Sequence, residues 1–215
     1  MTQSISPWTA SKMKDTNAQF EDSVRNFLEE IIEDKPRHAR FLNMLAMLEH
    51  KGSRRIMLSQ MDKVLTQDTL QHLAEEARHA FFFKRQAERV AGHSLDGWTK
   101  DNTMCIEPSL IYFARLGVGV AKEVGRKSAY SWVSLVVELR ACWFYEIYQD
   151  ALECSNDHMS LKSIVAEEDK HLADMFAMCN EQYDTLEKLS AYETKLFANL
   201  WPQLEQSSNQ LKNAA

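Results

Sequence analysis

The chain has few of the residues that break helices. Six Gly and four Pro among 215 residues leave too few turn positions for a many-stranded β fold, whose hairpins draw on Gly, Pro and Asn at fixed places. Long helices are the expectation. No Cys-x-x-Cys pair is present: Cys105, Cys142, Cys154 and Cys179 are scattered. That excludes a zinc ribbon and a rubredoxin-type iron site, and it reads as free thiols in a reducing compartment. No Lys/Arg cluster stands out in a chain of net charge −6, so nucleic acid is not an expected partner. Long apolar runs are missing too. The longest, Ser109 to Ala121, carries Arg115 and falls short of the ~20 residues of a membrane span, so no membrane is expected. Met1 to Asn17 lacks a basic segment followed by an apolar one and does not read as a signal peptide. A cytoplasmic protein is the expectation.

Apolar residues make up 45% of the chain, with ten Phe and five Trp, which is enough for the core of one domain. Residues 1–16 are polar and expected to be disordered. Phe20, Val24, Phe27, Leu28 and Ile31 then recur at helical spacing, and Asp34-Lys35-Pro36 ends that helix. A second helix spans about Pro36 to Met61, its apolar face built from Phe41, Leu42, Leu45, Leu48 and Ile56. Thr66-Gln67-Asp68-Thr69 offers capping chemistry for a third, which runs to Gly92 with an inner stripe of Leu73, Glu76, Ala80, Phe83 and Ala87. The Phe81-Phe82-Phe83 run reads as core.

A connection over His93–Ile106 leads to a short apolar helix from Pro108, which Gly117, Gly119 and Gly125 are expected to interrupt. Ser128 opens a fourth long helix to about Glu153, through Trp132, Leu135, Val136, Leu139 and Cys142. After a turn at Ser155-Asn156-Asp157, Ser160 opens a helix with Leu161, Ile164, Glu168, His171 and Met175 on one face. The last amphipathic segment, through Leu186, Leu189, Leu196 and Leu200, is expected to stop before Pro202, with 207–215 frayed. The domain is therefore read as 17–206, all-α. Apolar faces at Phe20–Ile31 and Leu186–Leu200 are left over, which suggests a homodimer.

One phrase occurs twice. Glu75-Glu76-Ala77-Arg78-His79 returns as Glu167-Glu168-Asp169-Lys170-His171. Each copy holds Glu-x-x-His, and each follows a lone Glu in an apolar run. Glu49 stands 27 positions before Glu76, and Glu138 stands 30 before Glu168. Residues three apart on a helix point the same way, so each pair delivers one oxygen and one nitrogen to one place. A charge on an apolar stripe needs a partner. Four carboxylates are balanced by two divalent cations, and mixed carboxylate–imidazole donors suit iron or manganese. The candidate metal ligands are Glu49, Glu76, His79, Glu138, Glu168 and His171.

Some neighbours compete for these roles. Glu146 lies two turns after Glu138 on a similar face; Glu138 is preferred because its spacing matches the first half. Glu75 and Glu167 stand four residues before their His and read as surface partners of Arg78 and Lys170. His72, four residues before Glu76, reads as a polar residue near the bundle surface, with an extra ligand or a group that holds one as the alternative. Tyr145, seven residues after Glu138, reaches toward the same place, either as an ordinary half-buried Tyr or in a radical role. Phe83 and Met175, each four residues after a ligand His, are core residues that would also wall a small apolar pocket.

Over about 37–180, on Glu49, Glu76-x-x-His79, Glu138 and Glu168-x-x-His171, the chain resembles the ferritin-like superfamily. The resemblance is to its di-metal carboxylate branch, which includes bacterioferritin, rubrerythrin, ribonucleotide reductase small subunits and bacterial multicomponent monooxygenases. It implies a four-helix bundle with added N-terminal, middle and C-terminal helices. It also implies Glu76 and Glu168 as bridging ligands, Glu49 and Glu138 as terminal ones, and one His on each metal. Classical ferritin lacks the second Glu-x-x-His, and rubrerythrin's Cys-rich unit is absent here. The implied activity is that of a di-iron oxidoreductase acting on dioxygen or peroxide. Its cofactor would be two Fe ions, with Mn or mixed Mn/Fe as the alternative, and a separate protein or small molecule would donate electrons. Ferroxidase or iron detoxification, a manganese catalase-like reaction, and a metal-free helical interaction domain are the competing readings. The last predicts that a lone Glu or one Glu-x-x-His faces solvent.

Overall fold

The computed structural model describes residues 7–59, 66–155, 157–179 and 182–213. Among them there are seven helices and no strand: α1 (Pro7–Glu33), α2 (Lys35–Ser59), α3 (Gln67–Ala91), α4 (Ile106–Val124), α5 (Ala129–Cys154), α6 (Lys162–Met178) and α7 (Tyr183–Asn213). The scarcity of Gly and Pro is expressed as length, since five of these helices reach 25 residues or more. None is long and apolar enough to cross a membrane. The expected helix end at Met61, Asn156 of the expected turn, and residues 1–6 lie outside the described residues.

The chain divides into two compact units. The first comprises the described residues up to Glu30 together with Glu107–Gln203; the second comprises Ile31–Ile106 and α7 from Leu204 onward.

In the second unit α2 packs along α3, burying Phe41, Leu42, Leu45 and Met47 from one helix and Phe83 and Ala87 from the other. Thr66 caps α3 by accepting from the Thr69 N–H. Gly92 closes it at φ 76°, a left-handed conformation that only a residue without Cβ adopts freely. The following connection is held by Asn43, whose Nδ2 donates to the Asn102 carbonyl at 2.9 Å and to Thr103 Oγ1 at 2.9 Å. Lys84 Nζ in turn donates to Asn43 Oδ1 at 3.1 Å and to the Leu95 carbonyl. These bonds satisfy an amide that is buried inside α2, which is the condition for burying it at all.

In the first unit Phe20 of α1 meets Phe197 of α7 edge-on, and Phe27 meets Trp201 likewise, both with ring centroids 5.1 Å apart. Phe20 and Phe27 of the α1 face thus pack on Phe197 and Trp201 of α7. Beside them Arg140 of α5 is enclosed: it forks onto Glu193 at 2.6 and 3.0 Å and donates to Asn17 Oδ1 at 2.6 Å. The Tyr112 hydroxyl also donates to Glu193, at 2.6 Å.

Several expectations are corrected. Helix α1 already begins at Pro7, ten residues before the expected start. Proline is favoured in a first helical turn, where its missing N–H has no partner to lose. Helix α4 runs through Gly117 and Gly119 without interruption. At Gly119 the ring of Tyr192 occupies the place a Cβ would take, so this glycine allows close packing and does not mark a break. Helix α7 passes through Pro202 to Asn213. Pro202 and Ala198, whose carbonyl loses its donor, are both exposed, so solvent satisfies that carbonyl. Gln203 Nε2 donates to the next carbonyl, of Asn199, at 2.7 Å. The expected fraying over 207–215 does not hold where α7 continues, since Ser208 is buried and accepts from Arg37 at 3.1 Å. Ser128 stands at the start of α5 without a side-chain cap bond, and α6 starts at Lys162 behind Leu161. Phe81 is 64% exposed while Phe83 is fully buried. Three consecutive helical residues are ~100° apart around the axis, so they do not share a face.

The four thiols divide sharply. Cys154 is exposed; Cys105, Cys142 and Cys179 are buried. Burial pushes the Cys105 and Cys179 thiols up to about 11, and at Cys142 burial and the nearby Glu168 and Glu138 carboxylates push it higher still. Since the thiolate is the reactive form, native protein is expected to give one rapid equivalent with DTNB at neutral pH and four after denaturation. Two or more rapid equivalents would contradict this burial.

Candidate metal centre

The second unit carries one set of donors. Glu49 comes from α2, and Glu76 and His79 come from α3, one turn apart on its inner stripe. One donor atom of each lies within 4.8 Å of the others. Glu49 is half-buried, while Glu76 is 5% and His79 0% exposed. His72, one turn earlier on α3, brings its Nε2 to 3.4 Å from Glu76 Oε1. The other carboxylate oxygen, Oε2, lies against the backbone of α2 at Gly52.

The first unit carries the matching set. Glu138 comes from α5, and Glu168 and His171 from α6. They are 8%, 1% and 3% exposed. His171 Nδ1 stands 3.3 Å from Glu168 Oε2, and Glu138 and His171 have donor atoms within 4.8 Å of each other. The field here is negative. Asp169 is held above the usual carboxylate range by burial and then by Glu168, and Cys142, one turn after Glu138, is raised by burial and the same carboxylates.

Glu49, Glu76 and His79 thus gather two carboxylates and an imidazole of the kind that hold a divalent cation, and in the first unit His171 stands near both Glu138 and Glu168. Five of the six expected ligands are buried and the sixth, Glu49, is half-buried. The donor set fits iron or manganese: hard oxygens with imidazole nitrogen, and no thiolate among the gathered donors.

The competing residues also separate. Glu146 is exposed, whereas Glu138 is interior. Glu75 and Glu167 are half-buried beside their neighbours. Tyr145, Phe83 and Met175 are all buried. Sequence reasoning missed two features. One is Gly52, whose signal is a glycine placed mid-helix three residues after a candidate ligand. The other is the Arg140–Glu193 pair. No family model matches the chain, and no curated protein or solved structure matches it either.

Proposed function

We propose that this chain is a non-haem di-metal oxidoreductase of ferritin-like type, with Glu49, Glu76, His79, Glu138, Glu168 and His171 as its ligands. The observation that carries the reading is the burial of two like donor sets. Burying an ionised carboxylate without a counter-charge costs several kcal/mol per ion. Each set holds two carboxylates, so one divalent cation per set neutralises it.

Bound as a pair, iron ions would supply activation of dioxygen or peroxide, which the side chains alone do not offer. The chain's own contribution is to hold and orient. Glu-x-x-His fixes one oxygen and one nitrogen on a rigid helix face, and His72 Nε2 faces Glu76 Oε1 from 3.4 Å. Phe83 and Met175 keep the interior apolar beyond each His. Electrons would come from a separate donor, since the sequence carries no flavin, haem or Cys-rich motif. Turnover of ferrous iron without organic substrate would place the chain among ferroxidases, and peroxide disproportionation without a reductant would make it catalase-like.

Elemental analysis of protein loaded with ferrous iron tests the reading, beside a Glu76→Ala/Glu168→Ala double variant. About two metal ions per chain are expected, one for each buried carboxylate pair, with loss in the variant. No retained iron or manganese in the wild type would overturn the di-metal reading.

A further inference from the structure

We infer that Gly52 is a positioning residue for the Glu76 carboxylate, and that its missing side chain is part of the binding site. The inference rests on the metal reading above and deepens it. Glycine inside a helix lowers helix stability relative to alanine, so a glycine in the body of the 25-residue α2 calls for a reason. Its φ is ordinary for a helix; among the glycines only Gly92, Gly97 and Gly125 have positive φ. Backbone conformation therefore does not require glycine here.

Space does. A Cβ built on Gly52 would stand 2.7 Å from Glu76 Oε2 and 3.8 Å from its Cδ, the atoms it would meet outside its own helix turn among the described residues. Among the described residues beyond its own helix turn, a methyl group at 52 thus meets the Glu76 carboxylate. An ordinary contact is ~3.5–4 Å, so Oε2 would have to withdraw by the better part of an ångström. Metal and catalytic constellations tolerate displacements of about 0.5 Å. The end of a flexible Glu side chain gives way more cheaply than backbone does, so the fold would absorb the change and the ligand would not.

The direction of the displacement is also fixed. Oε2 faces α2 at Gly52, while Oε1 faces His72 at 3.4 Å. The carboxylate is held between a helix backbone on one side and an imidazole on the other. Filling the Gly52 side presses it toward His72 and changes the spacing to the donors of Glu49 and His79, now within 4.8 Å.

The test is a cycle of four proteins: wild type, Gly52→Ala, Glu76→Asp and the double variant. Each is titrated with Mn²⁺ and melted in its metal-free form. Gly52→Ala is expected to melt at or above the wild-type temperature and to bind Mn²⁺ about tenfold more weakly or worse, the size seen when groups supporting a ligand are altered. Asp is one methylene shorter and escapes the methyl, so adding Gly52→Ala to Glu76→Asp is expected to cost no further affinity.

Equal Mn²⁺ affinity for wild type and Gly52→Ala would overturn the inference while leaving the di-metal reading intact. A lower metal-free melting temperature for Gly52→Ala would also overturn it, because the glycine would then serve helix packing. If wild type itself binds no metal, the di-metal reading fails separately. The metal-free melts then decide: non-additive effects of Gly52→Ala and Glu76→Asp uphold the contact, and additive effects refute it.

Discussion

Saturating Mn²⁺ is expected to raise the melting temperature of the metal-free protein by about 10 °C. A ligand that binds only the folded state stabilises it by about 4 kcal/mol at a thousand times its dissociation constant. For a chain of this size each kcal/mol is worth roughly 2–4 °C. The donors explain why the folded state is favoured as a binder. Glu49, Glu76 and His79 come together from two helices, and His171 of α6 stands near both Glu138 of α5 and Glu168; an unfolded chain does not keep the contacts between helices. A Glu76→Gln/Glu168→Gln variant separates the charge from the shape. Glutamine is nearly isosteric with glutamate, so packing is retained while two of the four interior charges disappear. Its metal-free form is expected to melt no lower than metal-free wild type, because repulsion among the carboxylates is relieved. Its response to Mn²⁺ is expected to vanish. An equal rise in both proteins would show that the ion acts elsewhere, and no rise in wild type would remove the thermodynamic case for a resident metal.

The same repulsion explains what was legible beforehand. Glu49, Glu138, Glu76 and Glu168 were visible because each interrupts an apolar stripe, and a helix puts residues at i, i+3, i+4 and i+7 on one side. Glu138 and Glu146 share spacing but not burial, and only packing distinguishes them. Glu193 obeys the rule that revealed Glu49: it falls four residues after Leu189 and seven after Leu186. Its role is not legible in the sequence because its partner, Arg140, lies 53 positions away, and pairing at that range leaves no local pattern. Helix ends depart from the sequence expectation where a breaker meets a tertiary contact. Pro202 is flanked by buried Trp201 and Leu204, and their packing outweighs one missing hydrogen bond that faces solvent. Gly119 is read as a break from composition, yet Tyr192 fills its surface. The helices themselves were legible throughout, because their periodicity is a property of contiguous residues. How four of them would form a bundle is a matter of long-range packing, which periodicity alone does not encode.

Arg140→Ala is expected to destabilise the protein by about 3–5 kcal/mol, the range for breaking a buried ion pair by removing one partner. Glu193 is 2% exposed and would keep only the Tyr112 hydroxyl from its present partners, at 2.6 Å. Asn17, fully buried on α1, would lose the guanidinium that its Oδ1 now accepts from at 2.6 Å. The guanidinium also lies 4.2 Å from the Phe197 ring centre and 5.0 Å from that of Trp143, so apolar contact is lost with the charge. An Arg140→Leu/Glu193→Leu double variant removes both charges and fills most of the space. It is expected to be more stable than Arg140→Ala, which urea unfolding of the two variants would show; a double variant at least as unstable as the single one would mean that the fork contributes more than its charges. Arg140 stands two residues after Glu138 on α5, and residues two apart on a helix point to nearly opposite sides. The network therefore fixes the rotation of α5 from the side away from its ligand. Arg140→Ala is expected to lower Mn²⁺ retention together with stability, whereas Glu76→Gln/Glu168→Gln lowers retention alone, and that contrast separates a residue that builds the helix frame from one that binds the ion.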